Sequence, residues 1–172
     1  MEWLTIAPVA GATSVAFALY LYTYVNRQDS GNPRMREIAA AIREGANAYL
    51  KRQYKTLAAF VAVMAVILAI ASRSYQMSIA YVLGSVCSGL AGFLGMSVAL
   101  RANVRTSNAS RQGLGRAFPV AFFGGAVMGL SVVGLALIGI SGLYYVFQSP
   151  NIILGYSFGA SAMALFAKAG GG

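Results

Sequence analysis

The chain has 172 residues, of which 58% are hydrophobic and 10% are charged, and its formal net charge is +9. Soluble domains are on average about a quarter charged, so this composition excludes an ordinary soluble domain and indicates a membrane protein with several spans. The positive charge lies between long apolar runs and not on a soluble basic surface, which argues against nucleic acid as a partner.

The first predicted element is an uncharged run over 3–26, long enough to cross a ~30 Å hydrocarbon core at about 1.5 Å per residue. A cleaved signal peptide is the alternative, but it favours a basic start and a shorter apolar core. Turn-forming residues follow over 26–32. The segment 34–72 then predicts one continuous helix, because it contains no proline and only one isolated glycine. Its charged half, 34–55, predicts a cytoplasmic extension and its apolar half, 56–72, predicts span 2.

Three more spans are predicted downstream. The uncharged run 74–100 is rich in glycine and serine, a composition that lets helices approach closely in lipid. The basic stretch 101–116 predicts a cytoplasmic loop. A turn sequence then divides the long uncharged run that follows into spans over 118–147 and 152–168. The prediction is a single all-α transmembrane region over 1–172, with about five transmembrane helices that form part of a larger multi-helix bundle.

The distribution of basic residues predicts the orientation. The connection between spans 3 and 4 holds four arginines, most simply topology determinants, whereas the connections between spans 2 and 3 and between spans 4 and 5 hold one basic residue and none. By the positive-inside rule, the two basic connections face the cytoplasm and the N-terminus lies outside. The connection between spans 1 and 2 holds seven of the thirteen basic residues: Arg27, Arg34, Arg36, Arg43, Lys51, Arg52 and Lys55.

Catalytic chemistry is sparse in this sequence. A proton or sodium relay through a bilayer normally needs carboxylates inside the spans, and none of the four acids lies within a predicted span. The single cysteine, Cys87, and the absence of histidine leave no disulfide framework and no histidine metal site. The sequence ends on three glycines, and the simplest expectation is that it is a fragment that is inactive alone. The acids are Glu2, Asp29, Glu37 and Glu44.

Lys168 is the one basic residue near the cytoplasmic end of span 5. One interpretation is a snorkelling anchor, whose ammonium group reaches the membrane surface while its methylene stem stays in apolar surroundings. The other is a positive charge that faces an anionic ligand, or a carboxylate on a helix outside this chain. The residues alone leave both interpretations open.

Several stretches together resemble the membrane-bound, ion-translocating pyrophosphatases. The resemblance covers most of the chain from about Arg36, in matching order and spacing. It implies the N-terminal fragment of a large homodimeric protein of the cell membrane that hydrolyses pyrophosphate with Mg²⁺ at the cytoplasmic side and pumps protons or sodium outward, in some members with K⁺. The stretches are 43–54 (REGANAYLKRQY), 101–106 (RANVRT), 124–130 (GGAVMGL), 155–161 (GYSFGAS) and 164–172 (ALFAKAGGG).

The resemblance also implies which residues matter. The groups that bind substrate and metal would begin just after Gly172, so this chain is expected to hold no catalytic, substrate-binding or metal residue. Many members carry arginine at the position of Lys168, where it contributes to the ion gate, and Lys168 is therefore the ion-gate candidate. Lysine keeps the charge but loses the planar fork of arginine. The alternatives are a self-contained structural or assembly subunit and, least favoured because its spans lack acids, a small transporter or channel.

Overall fold

The computed structural model describes residues 3–171. No strand occurs in this range, which confirms the predicted all-α class. Four helices are long and apolar enough to cross a membrane, and the apolar part of the fifth, Pro150–Phe166, is shorter. The helices, in chain order, are α1 (Trp3–Arg27), α2 (Pro33–Ser72), α3 (Tyr75–Ser110), α4 (Leu114–Phe147) and α5 (Pro150–Gly171).

Helix α3 is the centre of the bundle and contacts each of the other four helices. Its glycines allow this crowding: a Cβ atom on Gly84 would overlap the backbone carbonyl oxygen of Tyr156 on α5, and one on Gly159 of α5 would overlap that of Tyr81. The approach of α3 and α5 therefore requires small residues on both helices, as expected for packing in lipid.

The remaining contacts divide the bundle into two sides. Helices α1, α3 and α4 share one buried cluster, Ala18, Leu21, Val98 and Val127. A second buried cluster joins α3, α4 and α5, with Tyr156 as its largest member. Within the described range, α2 contacts only α3 and, over a smaller area, α5. Helix α2 therefore stands at the edge of the bundle, and one of its faces is unpartnered in this chain.

Helix α2 is uninterrupted from its charged half to its apolar half. It begins at Pro33, whose fixed φ and missing N–H suit the first helical position. The side-chain oxygen of Asn32 accepts a hydrogen bond from the Met35 backbone N–H at 2.9 Å and caps the helix. At the other end, Arg73 adopts a left-handed conformation with φ of 50°, which stops the helix.

The basic stretch over 101–116 differs from the loop that the sequence predicted. Helix α3 continues through Arg101 as far as Ser110, and residues 111–113 alone connect it to α4. Gly113 makes this sharp turn with φ of 104°, a conformation that glycine adopts without strain. The helical extension of α3 lies beside the turn that joins α1 to α2, and we call this end of the bundle, with turns 28–32 and 111–113, the basic end.

Candidate functional site

A groove of about 480 Å³ lies between α2, α3, α4 and α5, and its lining is almost entirely apolar. Its floor is the small-residue face of α3, with Gly89, Gly92 and Gly95. Because these glycines carry no side chains and α2 does not reach α4 within the described range, the groove stays open between them. Lys168 stands at its rim and, among the described residues that line the groove, is the one that carries a charge.

Hydrogen bonds to backbone carbonyls hold several polar side chains of the groove. The Tyr54 hydroxyl donates to the Gly89 carbonyl oxygen at 2.6 Å, which holds α2 against α3. The Gln53 amide donates to the Phe166 carbonyl oxygen at 3.2 Å and ties α2 to the last turns of α5. The Tyr156 hydroxyl donates to a carbonyl oxygen of α4 at 3.3 Å. Because these side chains already have hydrogen-bond partners, they serve to hold the helices together. The distinctive chemical group of the groove is therefore the positive charge of Lys168.

Lys168 lies in the last turn of α5 with an exposed side chain. The structure gives it no hydrogen bond or ion pair with any residue in the described range. A cation at the C-terminal end of a helix is favoured by the helix dipole, which suits an anchor. Its place at the rim of the groove, next to the Gln53 contact between α2 and α5, suits a charge directed at a partner. This position is compatible with both interpretations from the sequence.

The acids of the described range lie away from this groove. The Asp29 carboxylate lies 3.8 Å from the Arg36 guanidinium, and the Glu37 carboxylate lies 2.8 Å from the Arg34 guanidinium. Glu44 is exposed on α2. No three metal-binding side chains cluster between residues 3 and 171. These residues do not fit a Mg²⁺ site.

A second polar constellation lies at the basic end, around Arg105. Its guanidinium donates to three carbonyl oxygens: Gln28 at 3.0 Å, Asn26 at 3.3 Å and Arg101 at 2.9 Å. Two of these acceptors lie in or just after the last turn of α1, where carbonyl groups lack partners within the helix. Arg105 therefore closes the end of α1 and holds it against α3.

Asn108, one turn further along α3, continues this attachment. Its amide donates to a carboxylate oxygen of Asp29 at 3.2 Å, and the other oxygen of Asp29 accepts from the Gly31 backbone N–H at 3.0 Å. Gly31 has φ of 83°, and a side chain there would press against Asn108. The turn between α1 and α2 is thus fastened to α3 at several points.

The arginines of the basic end are close enough to affect one another. The Arg101 guanidinium lies 5.6 Å from the centre of the Tyr22 ring, a cation–π distance. Burial, and then the positive charges of Arg101 and Arg43, lower the pKa of Arg105. Arginine nevertheless stays protonated in proteins, so Arg105 remains a charged donor at physiological pH.

Two features were not predicted from the sequence: the role of Arg105 at the basic end, and the roles of Gln53 and Tyr54 in the groove. Arg105 was expected only to set topology, and its bonds to backbone carbonyls of α1 leave no trace in a residue pattern. Gln53 and Tyr54 were not singled out, although Gln53 follows Tyr49 and precedes Leu57 at helical spacing on the face that lines the groove. That spacing was the available signal.

The comparisons with known proteins agree with the resemblance found in the sequence. A model of the family described as "Inorganic H+ pyrophosphatase" matches residues 12–172. The "K(+)-insensitive pyrophosphate-energized proton pump" of Methanosarcina mazei is 46% identical over 167 residues, which cover 96% of this chain and 25% of that protein. A "K(+)-insensitive pyrophosphate-energized proton pump 2" of Moorella thermoacetica is 44% identical over 179 residues, covering 100% of this chain and 26% of that protein.

A third relative carries a different ion in its name. The "Putative K(+)-stimulated pyrophosphate-energized sodium pump" of Clostridium tetani is 44% identical over 172 residues, covering 99% of this chain and 25% of that protein. The chain thus spans about a quarter of the length of the curated relatives it matches. Since the family model matches nearly the whole chain, the resemblance is confirmed, and the chain belongs to the inorganic H⁺ pyrophosphatase family.

Proposed function

We propose that this chain is the N-terminal scaffold of a pump that couples hydrolysis of magnesium pyrophosphate to the transport of protons or sodium out of the cytoplasm. The observation that carries the proposal is the family match over residues 12–172, together with relatives that are named as pyrophosphate-energized pumps. The helices of membrane-spanning length support it. In this proposal the working pump is a homodimer in the cell membrane, and the ligands for pyrophosphate, Mg²⁺ and any K⁺ lie outside this chain.

Within this pump, we propose that Lys168 supplies a positive charge beside the path of the ion. The support is its exposed position at the rim of the groove and its lack of an ion pair in the described range. The Gln53–Phe166 hydrogen bond holds the last turns of α5 against α2, so the position of Lys168 is set by the fold.

The identity of the pumped ion belongs, in this proposal, to residues outside the chain. The relative named as a proton pump is 46% identical to it, and the relative named as a putative sodium pump is 44% identical. Similarity over this quarter therefore does not separate the two ions. The predicted spans contain no acid, and a cation relay in a membrane normally uses carboxylates, so this also favours ion-selecting residues outside the chain.

The test uses the longer protein that contains this chain, purified and reconstituted in liposomes, with the 172-residue chain alone as the comparison. Mg²⁺-dependent release of phosphate from pyrophosphate and pyrophosphate-driven uptake of H⁺ or Na⁺ are measured together. Both activities are expected of the longer protein and neither of the chain alone. A longer protein that hydrolyses no pyrophosphate, combined with a chain that forms a defined oligomer, would support the structural-subunit alternative.

A further inference from the structure

Measured along the helix axes toward the basic end, the apolar stretches of the helices end at different depths, which we call levels. Helices α2 and α3 lie side by side and antiparallel, because the Tyr54 hydroxyl bonds the Gly89 carbonyl and the Ser78 hydroxyl bonds the Ala65 carbonyl at 2.7 Å. Lys55 is the last charged residue before the apolar half of α2. The charged part of α2 therefore begins beside Gly89, well inside the uncharged length of α3.

On the other side of the bundle the apolar length reaches much further toward the basic end. Arg105 bonds the Asn26 carbonyl, so the uncharged run of α1 ends beside Arg105 of α3. The uncharged length of α4 extends equally far toward the basic end. A Cβ on Gly124 would contact the Ala102 side chain, and α4 is uncharged throughout that region. From Gly89 to Arg105 is roughly 16 residues, or about 24 Å of helix.

Helix α5 resembles α2 in the depth along the bundle at which it carries charge. The Gln53 amide bonds the Phe166 carbonyl, which places Lys168 close to the level at which α2 becomes charged. Both helices that flank the open side of the bundle thus carry charge at a depth where α1 and α4 are apolar. The difference in level is too large for a lysine or arginine side chain to span by snorkelling.

The charges on α2 point away from the bundle. Lys51, Arg52 and Lys55 are exposed, and in the described part of the chain no acid lies within ion-pair distance of them. A lysine or arginine at the centre of a bilayer costs about 2.5–3.5 kcal/mol on insertion scales, so three of them facing lipid would be strongly disfavoured. Three like charges within two turns also repel one another, and a high dielectric such as water weakens this repulsion most.

We propose that the outward face of α2 at Lys51, Arg52 and Lys55 borders a water-filled cavity that is open toward the basic end, whereas α1 and α4 face hydrocarbon at the same depth. Residues of α2 are charged at this depth because their surroundings are aqueous. The inference rests on the relative levels of the helices and does not depend on the pumping activity.

The test places a nitroxide spin label at single cysteines in the longer protein, reconstituted in liposomes, in a background without other reactive cysteines, including Cys87→Ala. The probe sites are Lys51→Cys and Lys55→Cys. The matched controls are Val133→Cys, an exposed position of α4 at nearly the level of Lys55, and Leu19→Cys, an exposed position of α1 nearer the basic end. Collision of the label with oxygen, which partitions into lipid, is compared with collision with the water-soluble nickel complex NiEDDA.

Labels on α2 are expected to collide more with NiEDDA than with oxygen, and the control labels are expected to show the reverse. Two results would overturn the proposal. Labels at Lys51 and Lys55 that collide chiefly with oxygen would place this face in lipid. A Leu19 label as accessible to NiEDDA as the α2 labels would mean that the whole membrane lies lower on the bundle and that no cavity is present. Arg52→Cys provides a third probe site if either lysine variant fails to fold.

Discussion

Lys168 combines an exposed ammonium group with a place at the rim of an apolar groove. In the longer protein, we expect Lys168→Ala to reduce ion uptake per pyrophosphate hydrolysed severalfold, because the charge beside the proposed ion path is lost. Lys168→Arg should be tolerated, because it keeps the charge and adds donors. Uptake and hydrolysis measured in the same liposomes give the ratio directly.

The control for this prediction is Arg111→Ala, which removes a positive charge from an exposed position at the basic end. It should leave the ratio of uptake to hydrolysis unchanged. Unaltered pumping by Lys168→Ala would restore the interpretation of Lys168 as a snorkelling anchor.

A second prediction at the scale of one residue concerns Gly84, where α3 and α5 approach each other. In Gly84→Ala the new methyl group would overlap the Tyr156 carbonyl oxygen, and backbone atoms cannot move aside as a flexible side chain can. We expect α3 and α5 to separate, at a cost of about 1–3 kcal/mol or more. Thermal unfolding of the longer protein in detergent, followed by circular dichroism, would show a lowered midpoint.

Gly129→Ala is the matched control, because no atom outside its own stretch of helix backbone lies within 4 Å of the position where its Cβ would be. Alanine favours helix over glycine by about 1 kcal/mol, so this variant should keep or slightly raise the midpoint. Equal midpoints for the two variants would show that α3 and α5 do not approach as closely as described.

At the scale of elements, the turn between α1 and α2 depends on α3. In Arg105→Ala the carbonyl groups of Asn26 and Gln28 lose their donor, and we expect a loss of about 1–3 kcal/mol of stability. Backbone amides over 26–31 should exchange with deuterium faster, as mass spectrometry would detect. Arg111→Ala removes the same charge without these bonds, and equal exchange in both variants would contradict the role of Arg105.

The sequence predicted some elements well for a physical reason. Over 34–72 it contains no residue that ends a helix, so local propensity and tertiary packing agree, and α2 runs from Pro33 to Ser72. The stretch 101–116 is different, because its polar residues are compatible with either loop or helix. Packing decides between them: Val104 and Asn108 are buried in the helical form, which no local pattern reveals.

The candidate site was predictable only in part. Lys168 was singled out as the one basic residue near the cytoplasmic end of span 5, and the resemblance added the ion-gate role; the structure places it in the lining of a groove. The groove itself depends on contacts between residues far apart in the chain, such as Gln53 with Phe166. Single-sequence patterns describe one helix face at a time, and they do not specify which faces meet.

At the scale of the whole molecule, the fold gathers positive charge at one end. The attachment of Arg105 and Asn108 to the first turn brings the two basic connections together, whereas the opposite end carries Arg73 as its one basic residue within the described range. The positive-inside rule counts charges in short connections, so this concentration predicts a cytoplasmic basic end and an external N-terminus.

This orientation can be tested with two single-cysteine variants of the longer protein, each in a background without other reactive cysteines, Cys87 included. Gln112→Cys lies in the connection from α3 to α4, and Asn151→Cys lies exposed in the first turn of α5 at the opposite end. A membrane-impermeant maleimide applied to intact cells should label Asn151→Cys and should label Gln112→Cys only after the membrane is opened. The reverse pattern would show that the arginines of the basic end lie outside, and that their clustering serves the packing of α1 on α3 and does not set the orientation of the chain.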